Sequence, residues 1–323
     1  MPLTIWCNAL FDDAALRQLR EATAAHRLVF SSEASASVLA AGSRDPALAR
    51  ADIALGQPDP EDCLRSKRLR WVALTTAGYA RYDTEVFRET FRARGAALTN
   101  ASSVFADPCA QHVLAMMLAL GRQLLPSYRE QLTERGWRYT ERRAASQLLT
   151  GQTVLLLGYG AIARRLVELL RPFGCTVYAV RRQARSESGV RVIGVEDLTR
   201  VLPLADHVIN VLPDNETTRD FVNARRLACC KAGARFYNVG RGATVDARAL
   251  AEALRSGRLG AAYLDVFEPE PLPPEHELWE LPNCYITPHT AGGRADQDAA
   301  LVRLFIKNLA AFESGEAMED RII

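Results

Sequence analysis

The chain has 323 residues, 48% of them hydrophobic, and a formal net charge of +2. That length supports two ordinary domains with a sizeable core in each, and the composition excludes a disordered chain or a surface built to coat a polyanion, so no nucleic-acid partner is expected. The seven cysteines are scattered without CxxC spacing, the first residues carry no basic leader, and no run reaches transmembrane length, Val113–Leu120 being far too short; a reduced, soluble cytoplasmic protein without a metal site is expected.

In chain order, apolar runs at Leu3–Trp6, Leu28–Phe30, Ala51–Leu55, Leu69–Leu74 and Ala97–Thr99 alternate with helical stretches at Asp12–Ala25 and Val86–Arg94. That alternation predicts a parallel α/β sheet for the first hundred residues. From Pro108 to Leu125 the pattern is one long apolar helix, and the alternation restarts at Thr153, which predicts a domain boundary near residue 101. Val154–Leu157, Cys175–Val180, Asp206–Leu212, Ala234–Val239, Gly260–Asp265 and Tyr285–Thr287 read as buried strands of a six- or seven-stranded doubly wound sheet. Amphipathic Gln297–Phe312 closes the chain and could pack on either domain.

Gly158-Tyr159-Gly160-Ala161-Ile162-Ala163 follows the first strand of this second sheet and leads into the amphipathic run Arg164–Phe173. A dinucleotide pyrophosphate needs that order. Gly158 permits the tight turn, Gly160 lets backbone approach the phosphates, Ala163 stands at the strand–helix contact, and the helix start offers unpaired N–H donors. At the end of the second strand, where an NAD enzyme carries Asp or Glu for the ribose 2′-hydroxyl, stand Arg181 and Arg182. Guanidinium groups suit a 2′-phosphate, so NADP(H) is favoured over NAD(H).

Three segments at the carboxyl ends of predicted strands carry further chemistry: Asn238–Gly242, Leu264–Pro271 and Ile286–Gly293. Reducing an oxo acid by hydride requires a proton donor to the carbonyl oxygen, a cation for the carboxylate and a group that keeps the donor protonated. His289 suits the first task because imidazole titrates near neutrality. Arg241 suits the second through its planar fork. Glu270 would pair with the imidazolium.

Taken with the GYGAIA turn, Leu212-Pro213, Thr218-Arg219, NVGRG, Ser256–Gly260, DVFEPEPLPPEHELW and TPHTAGG, these residues make the chain resemble the D-2-hydroxyacid dehydrogenases, which include glyoxylate/hydroxypyruvate reductases. The resemblance is strongest over residues 151–293. It implies two Rossmann-like doubly wound parallel-sheet domains with the active site in the cleft between them: a discontinuous, flavodoxin-like substrate domain of residues 1–100 and 290–323, and a dinucleotide-binding domain of residues 101–289. It gives Arg241, Glu270 and His289 the catalytic roles, with Glu270 and not Glu268 as the matching glutamate. It adds Leu212, Pro213, Thr218, Val239 and Gly240 to the cofactor contacts, makes Asp265 the partner of the nicotinamide carboxamide, and has the backbone amides of Ala77 and Gly78 hold the substrate carboxylate beside Arg241.

A homodimer joined through the cofactor domain, with residues 124–147 as its arm, is also implied. The chain departs from the family at Arg181, at Gln111 on the long helix, and at Tyr79 and Arg81 in the carboxylate loop; the last two bear on which oxo acid is taken. Glu270 disfavours a formate dehydrogenase, where that relative has Gln. The expected activity is hydride transfer between NADP(H) and a small 2-oxo acid such as glyoxylate or hydroxypyruvate; the alternative is a nucleotide-sensing, corepressor-like binding protein of the same fold.

Overall fold

The computed structural model describes residues 2–35, 42–181 and 189–323, which fall into two compact units, Met1–Phe105 with Arg294–Ile323, and Ala106–Gly293. In the first, β1 (Thr4–Ala9), β2 (Arg27–Ser35), β3 (Ile53–Gly56), β4 (Trp71–Leu74) and β5 (Ala97–Thr99) form one sheet in the order β2-β1-β3-β4-β5. Every neighbouring pair is parallel, and the order is that of flavodoxin-like folds. Every residue of β3, β4 and β5 is buried, as continuous apolar strands require when both faces of a parallel sheet are covered. The C-terminal helix Gln297–Ser314 packs in this unit: Val302, Phe305 and Leu309 join Ile5, Ile53 and Trp71 in one cluster, and the Phe305 ring stacks on Trp71 at 5.2 Å.

The second unit carries β6 (Thr153–Leu157), β7 (Thr176–Val180), β8 (Arg191–Ile193), β9 (His207–Asn210), β10 (Ala234–Asn238), β11 (Leu259–Leu264) and β12 (Cys284–Ile286), in the order β12-β11-β10-β9-β6-β7-β8. All six neighbouring pairs are parallel. The order reverses between β6 and β9, which places the switch point of the sheet, where ligands bind, beside the glycine turn that follows β6. The seventh strand, β8, is a three-residue edge piece too short to register as an apolar run. The strand expected over Asp206–Leu212 stops at Asn210, so Val211 and Leu212 belong to the loop at its carboxyl end.

The apolar helix expected from Pro108 to Leu125 runs instead from Ser102 to Gly121 with Pro108 inside it. Its start is set by tertiary bonds, Ser103 N–H donating to Asp320 Oδ2 at 2.7 Å and Ser102 N–H to Asn100 Oδ1 at 3.2 Å. By length and composition this helix could cross a membrane, which corrects the expectation that no segment reaches that length. Its apolar side is used within the protein, because Cys109, Ala110, Val113, Met117 and Leu120 are buried in the cluster that includes Val154 and Leu156 of β6.

Candidate active site

Gly158 has φ of +97°, a backbone conformation that side chains disfavour, and a Cβ there would lie 3.3 Å from the Val211 carbonyl oxygen. The fold itself therefore demands this glycine. Gly160 differs: its φ is −95°, and among the described residues nothing lies within 4 Å of where a Cβ would stand. The space over Gly160 is thus a cradle that a methyl group would fill, at the start of helix Ala161–Leu170, whose first amides receive no side-chain cap. Unpaired N–H donors on an open backbone surface fit a pyrophosphate. Ala161 and Ile162 are half-buried, and Arg164 lies 4.9 Å over the Tyr159 ring.

Arg181 directly follows β7, and its N–H donates to Ile193 O of β8 at 3.1 Å, which fixes its backbone at the carboxyl end of the sheet. Arg182 lies outside the described residues. Leu212 N–H donates to Asn210 Oδ1 at 3.3 Å. Pro213 is exposed, whereas Thr218 is buried: its hydroxyl donates to Pro213 O at 2.7 Å and accepts from Asn215 N–H at 3.0 Å. That hydroxyl closes the 213–218 loop upon itself.

Val239 is buried, and Gly240 allows the turn after β10 to meet the turn after β9 backbone to backbone, since a Cβ there would stand 2.8 Å from Leu212 O. Arg241, half-buried, donates from Nη1 to Gly240 O at 2.7 Å. At Gly242 a Cβ would fall 1.9 Å from the Phe267 carbonyl carbon. This glycine lets the loop carrying Glu270 lie against the turn carrying Arg241. Glu270 Oε1 accepts from Phe267 N–H at 2.8 Å and Oε2 meets His289 Nδ1 at 2.7 Å, while Glu268 is exposed. A carboxylate only accepts, so Nδ1 carries the proton in this pair.

His289 has φ of +53°, a left-handed conformation that costs a non-glycine residue roughly 1–3 kcal/mol and persists only where its surroundings impose it. Its N–H donates to Asp265 O at 2.9 Å and to Thr287 O at 3.0 Å. Asp265 is 2% exposed, and its carboxylate accepts from the Thr287 hydroxyl at 2.5 Å, Thr290 N–H at 2.8 Å and Ala291 N–H at 3.0 Å. The charges of Asp265 and Arg241 both reach Cys109 on the long helix: burial pushes its thiol up to about 12, with Asp265 adding to the shift and Arg241 opposing it.

Sequence reasoning missed the buried amides beneath these loops. Asn210 Nδ2 donates to Asn238 Oδ1 at 3.0 Å and to Thr244 Oγ1 at 2.6 Å. Asn238 in turn accepts from Gly240 N–H at 3.1 Å and donates to Arg241 O at 3.2 Å. These bonds tie the ends of β9 and β10 to the backbone of Arg241. An asparagine closing an otherwise apolar strand, as in His207–Asn210 and Ala234–Asn238, is the signal that identifies them, because a buried amide needs partners.

In the first unit the expected carboxylate loop is also fixed. Asn100 Nδ2 donates to Ala77 O and Thr76 Oγ1 to Gly78 O, both at 2.7 Å. In a trans peptide the N–H points opposite the C=O, so the bond to Ala77 O also fixes the direction of the Gly78 N–H.

A doubly wound sheet with a phosphate cradle at its switch point, and a carboxylate–imidazole pair on loops at the same sheet end, defines a nucleotide-dependent oxidoreductase. Residues 114–291 match the D-isomer specific 2-hydroxyacid dehydrogenase NAD-binding domain, and the chain belongs to that family of NAD(P)-dependent enzymes. It is 31% identical over 264 residues to a glyoxylate reductase of Pyrococcus furiosus, covering 80% of this chain and 77% of that protein. Among solved structures it is similar to a D-isomer specific 2-hydroxyacid dehydrogenase of Xanthobacter autotrophicus Py2 in complex with NADPH and MES, with a TM-score of 0.82 and 26% identity over 100% of this chain and 98% of that one. An NADPH-dependent glyoxylate/hydroxypyruvate reductase of Sinorhizobium meliloti in complex with NADP and sulfate aligns with a TM-score of 0.76 and 25% identity, covering 99% and 98%. These relatives favour an enzyme over the corepressor-like alternative.

Proposed function

We propose that the protein is an NADP(H)-preferring reductase that converts a small 2-oxo acid, glyoxylate or hydroxypyruvate, to the D-2-hydroxy acid. The observation that carries the reaction is the His289–Glu270 pair at 2.7 Å. The bound nicotinamide supplies the hydride to the carbonyl carbon. His289 delivers a proton from Nε2 to the carbonyl oxygen and ends neutral, with Nδ1–H still bonded to Glu270. Arg241 grips the substrate carboxylate and polarises the carbonyl, and the Ala77 and Gly78 amides take the carboxylate's other oxygen.

Arg181 supports the cofactor preference, since a cation at the ribose end favours a 2′-phosphate. In this reading the first unit is the substrate domain, the second the dinucleotide-binding domain, and the compartment is the cytoplasm, in keeping with seven free cysteines. Residues 124–147 expose Leu124, Tyr128, Leu132, Trp137 and Tyr139, Trp137 to 91%, and so many exposed large apolar side chains in one segment support a homodimer through it.

Steady-state rates on a panel of 2-oxo acids with NADPH and NADH test the reading. Loss of a charge-assisted phosphate contact costs roughly 1.5–3 kcal/mol, so Arg181→Asp is expected to weaken NADPH about tenfold or more while sparing or improving NADH. Equal losses for both cofactors, or a parent enzyme that prefers NADH, overturn the cofactor assignment.

A further inference from the structure

We infer that Asp265, held by Thr287 and Tyr263, is the positioning residue that aims His289, acting as the anion inside a nest of backbone amides from the histidine loop. The inference rests on the reading of His289 as proton donor. Consecutive N–H groups in a left-handed-containing turn form a concavity that binds an anion. Here the anion is internal: Thr290 and Ala291 N–H donate to the Asp265 carboxylate, and His289 N–H to its main-chain oxygen. The left-handed backbone of His289 is the conformation this nest requires. Removing the anion leaves His289 its own N–H bonds and Glu270 but frees the Thr290 and Ala291 amides that close the turn behind it.

The carboxylate is itself fixed by a hydroxyl chain of one direction. Because a carboxylate only accepts, the Thr287 hydroxyl donates to Asp265 Oδ1 at 2.5 Å, and the Tyr263 hydroxyl must then be the donor to Thr287 Oγ1 at 2.6 Å. Tyr263 is fully buried and its ring stacks on His112 of the long helix at 5.5 Å. The chain Tyr263–Thr287–Asp265 thus runs from the core of the second unit to the backbone of the catalytic loop. Three donors from the histidine loop, the Thr287 hydroxyl and the Thr290 and Ala291 N–H groups, thus converge on the Asp265 carboxylate.

Valine at position 287 removes the hydroxyl at constant shape, and serine restores it. If the chain aims His289, Thr287→Val is expected to lower kcat about tenfold while KM for the oxo acid and the Kd for NADPH stay within about twofold, with Thr287→Ser recovering most of the loss. Tyr263→Phe, which removes only the outer link, is expected to cost about threefold and serves as the second variant should Thr287→Val fail to fold. In a His289→Ala background neither substitution is expected to lower the residual rate further, because residues that act as a unit are not additive. An unchanged kcat in both Thr287→Val and Tyr263→Phe, serine no better than valine, a parallel loss of NADPH affinity, or a full additional loss in the His289→Ala background each overturns the inference. Wild-type turnover in His289→Ala itself would instead remove the proton-donor reading on which it stands.

Discussion

Two glutamates stand two positions apart in the loop after β11, and only one reaches the imidazole. Glu270 bridges Phe267 N–H and His289 Nδ1, while Glu268 faces solvent. An amide in its place has one acceptor oxygen where Phe267 N–H and His289 Nδ1–H need two. Glu270→Gln is therefore expected to loosen the imidazole and to reduce kcat at pH 7 about tenfold, with His289→Ala losing more. A parental kcat in Glu270→Gln removes the glutamate from the chemistry. Arg241, Glu270 and His289 stand out in the sequence because each sits in a short motif whose residue types match a task. Thr287 and Asp265 were not legible as a clamp, since a bond between residues 22 positions apart leaves no local pattern.

The glycine turn shows how an element divides its requirements between fold and ligand. Gly158 is imposed by a positive φ and a close carbonyl, Gly160 by neither. Gly160 is the N-cap of helix Ala161–Leu170, where alanine caps less well than glycine, so Gly160→Ala is expected to cost the unliganded protein about 1 kcal/mol of stability. The added methyl occupies the phosphate cradle and is expected to weaken NADPH binding about tenfold or more. Gly158→Ala is expected to lose about 1–2 kcal/mol of stability from the left-handed backbone alone. Urea unfolding without nucleotide and titration of NADPH fluorescence separate the two effects, and parental NADPH affinity in Gly160→Ala would show that the cradle holds no phosphate.

Across the whole molecule, stability in acid depends on one histidine outside the reaction. His207 is fully buried at the start of β9, its Nδ1 bonded to Tyr237 OH at 3.0 Å and its Nε2 to Gln152 Oε1 at 2.5 Å. Burial first, then the nearby Arg235, pulls its pKa down to about 3, against the opposing charge of Asp206. The folded state thus resists a proton that the unfolded chain accepts below about pH 6.5. Stability is full above that value and falls by up to about 1.4 kcal/mol per pH unit as pH drops from about 6 towards 3. The carboxylates held low by their partners, Asp45, Asp52 and Asp206, lose their contributions only below about pH 4. Urea midpoints at pH 7 and pH 5 therefore isolate His207: the parent is expected to lose stability between them and His207→Gln to lose much less. Equal losses in both proteins would assign the acid sensitivity elsewhere.

By itself the sequence determined the alternation of strands and helices, the glycine turn after β6 and the pairing of Glu270 with His289, because hydrophobic period and backbone permissiveness act over a few residues and are written where they act. Tertiary structure decided the rest. It extended the long helix back to Ser102, since the cap that starts it comes from Asp320 at the far end of the chain. It turned the Thr218 hydroxyl back onto its own loop, and it spread Asn210, Asn238 and Thr244 beneath the Arg241 turn as one amide network. Such roles belong to polar groups that lose water on folding and must find partners wherever the sheet brings them, and the sheet order that makes Asn210 and Asn238 neighbours is set by the packing of whole strands.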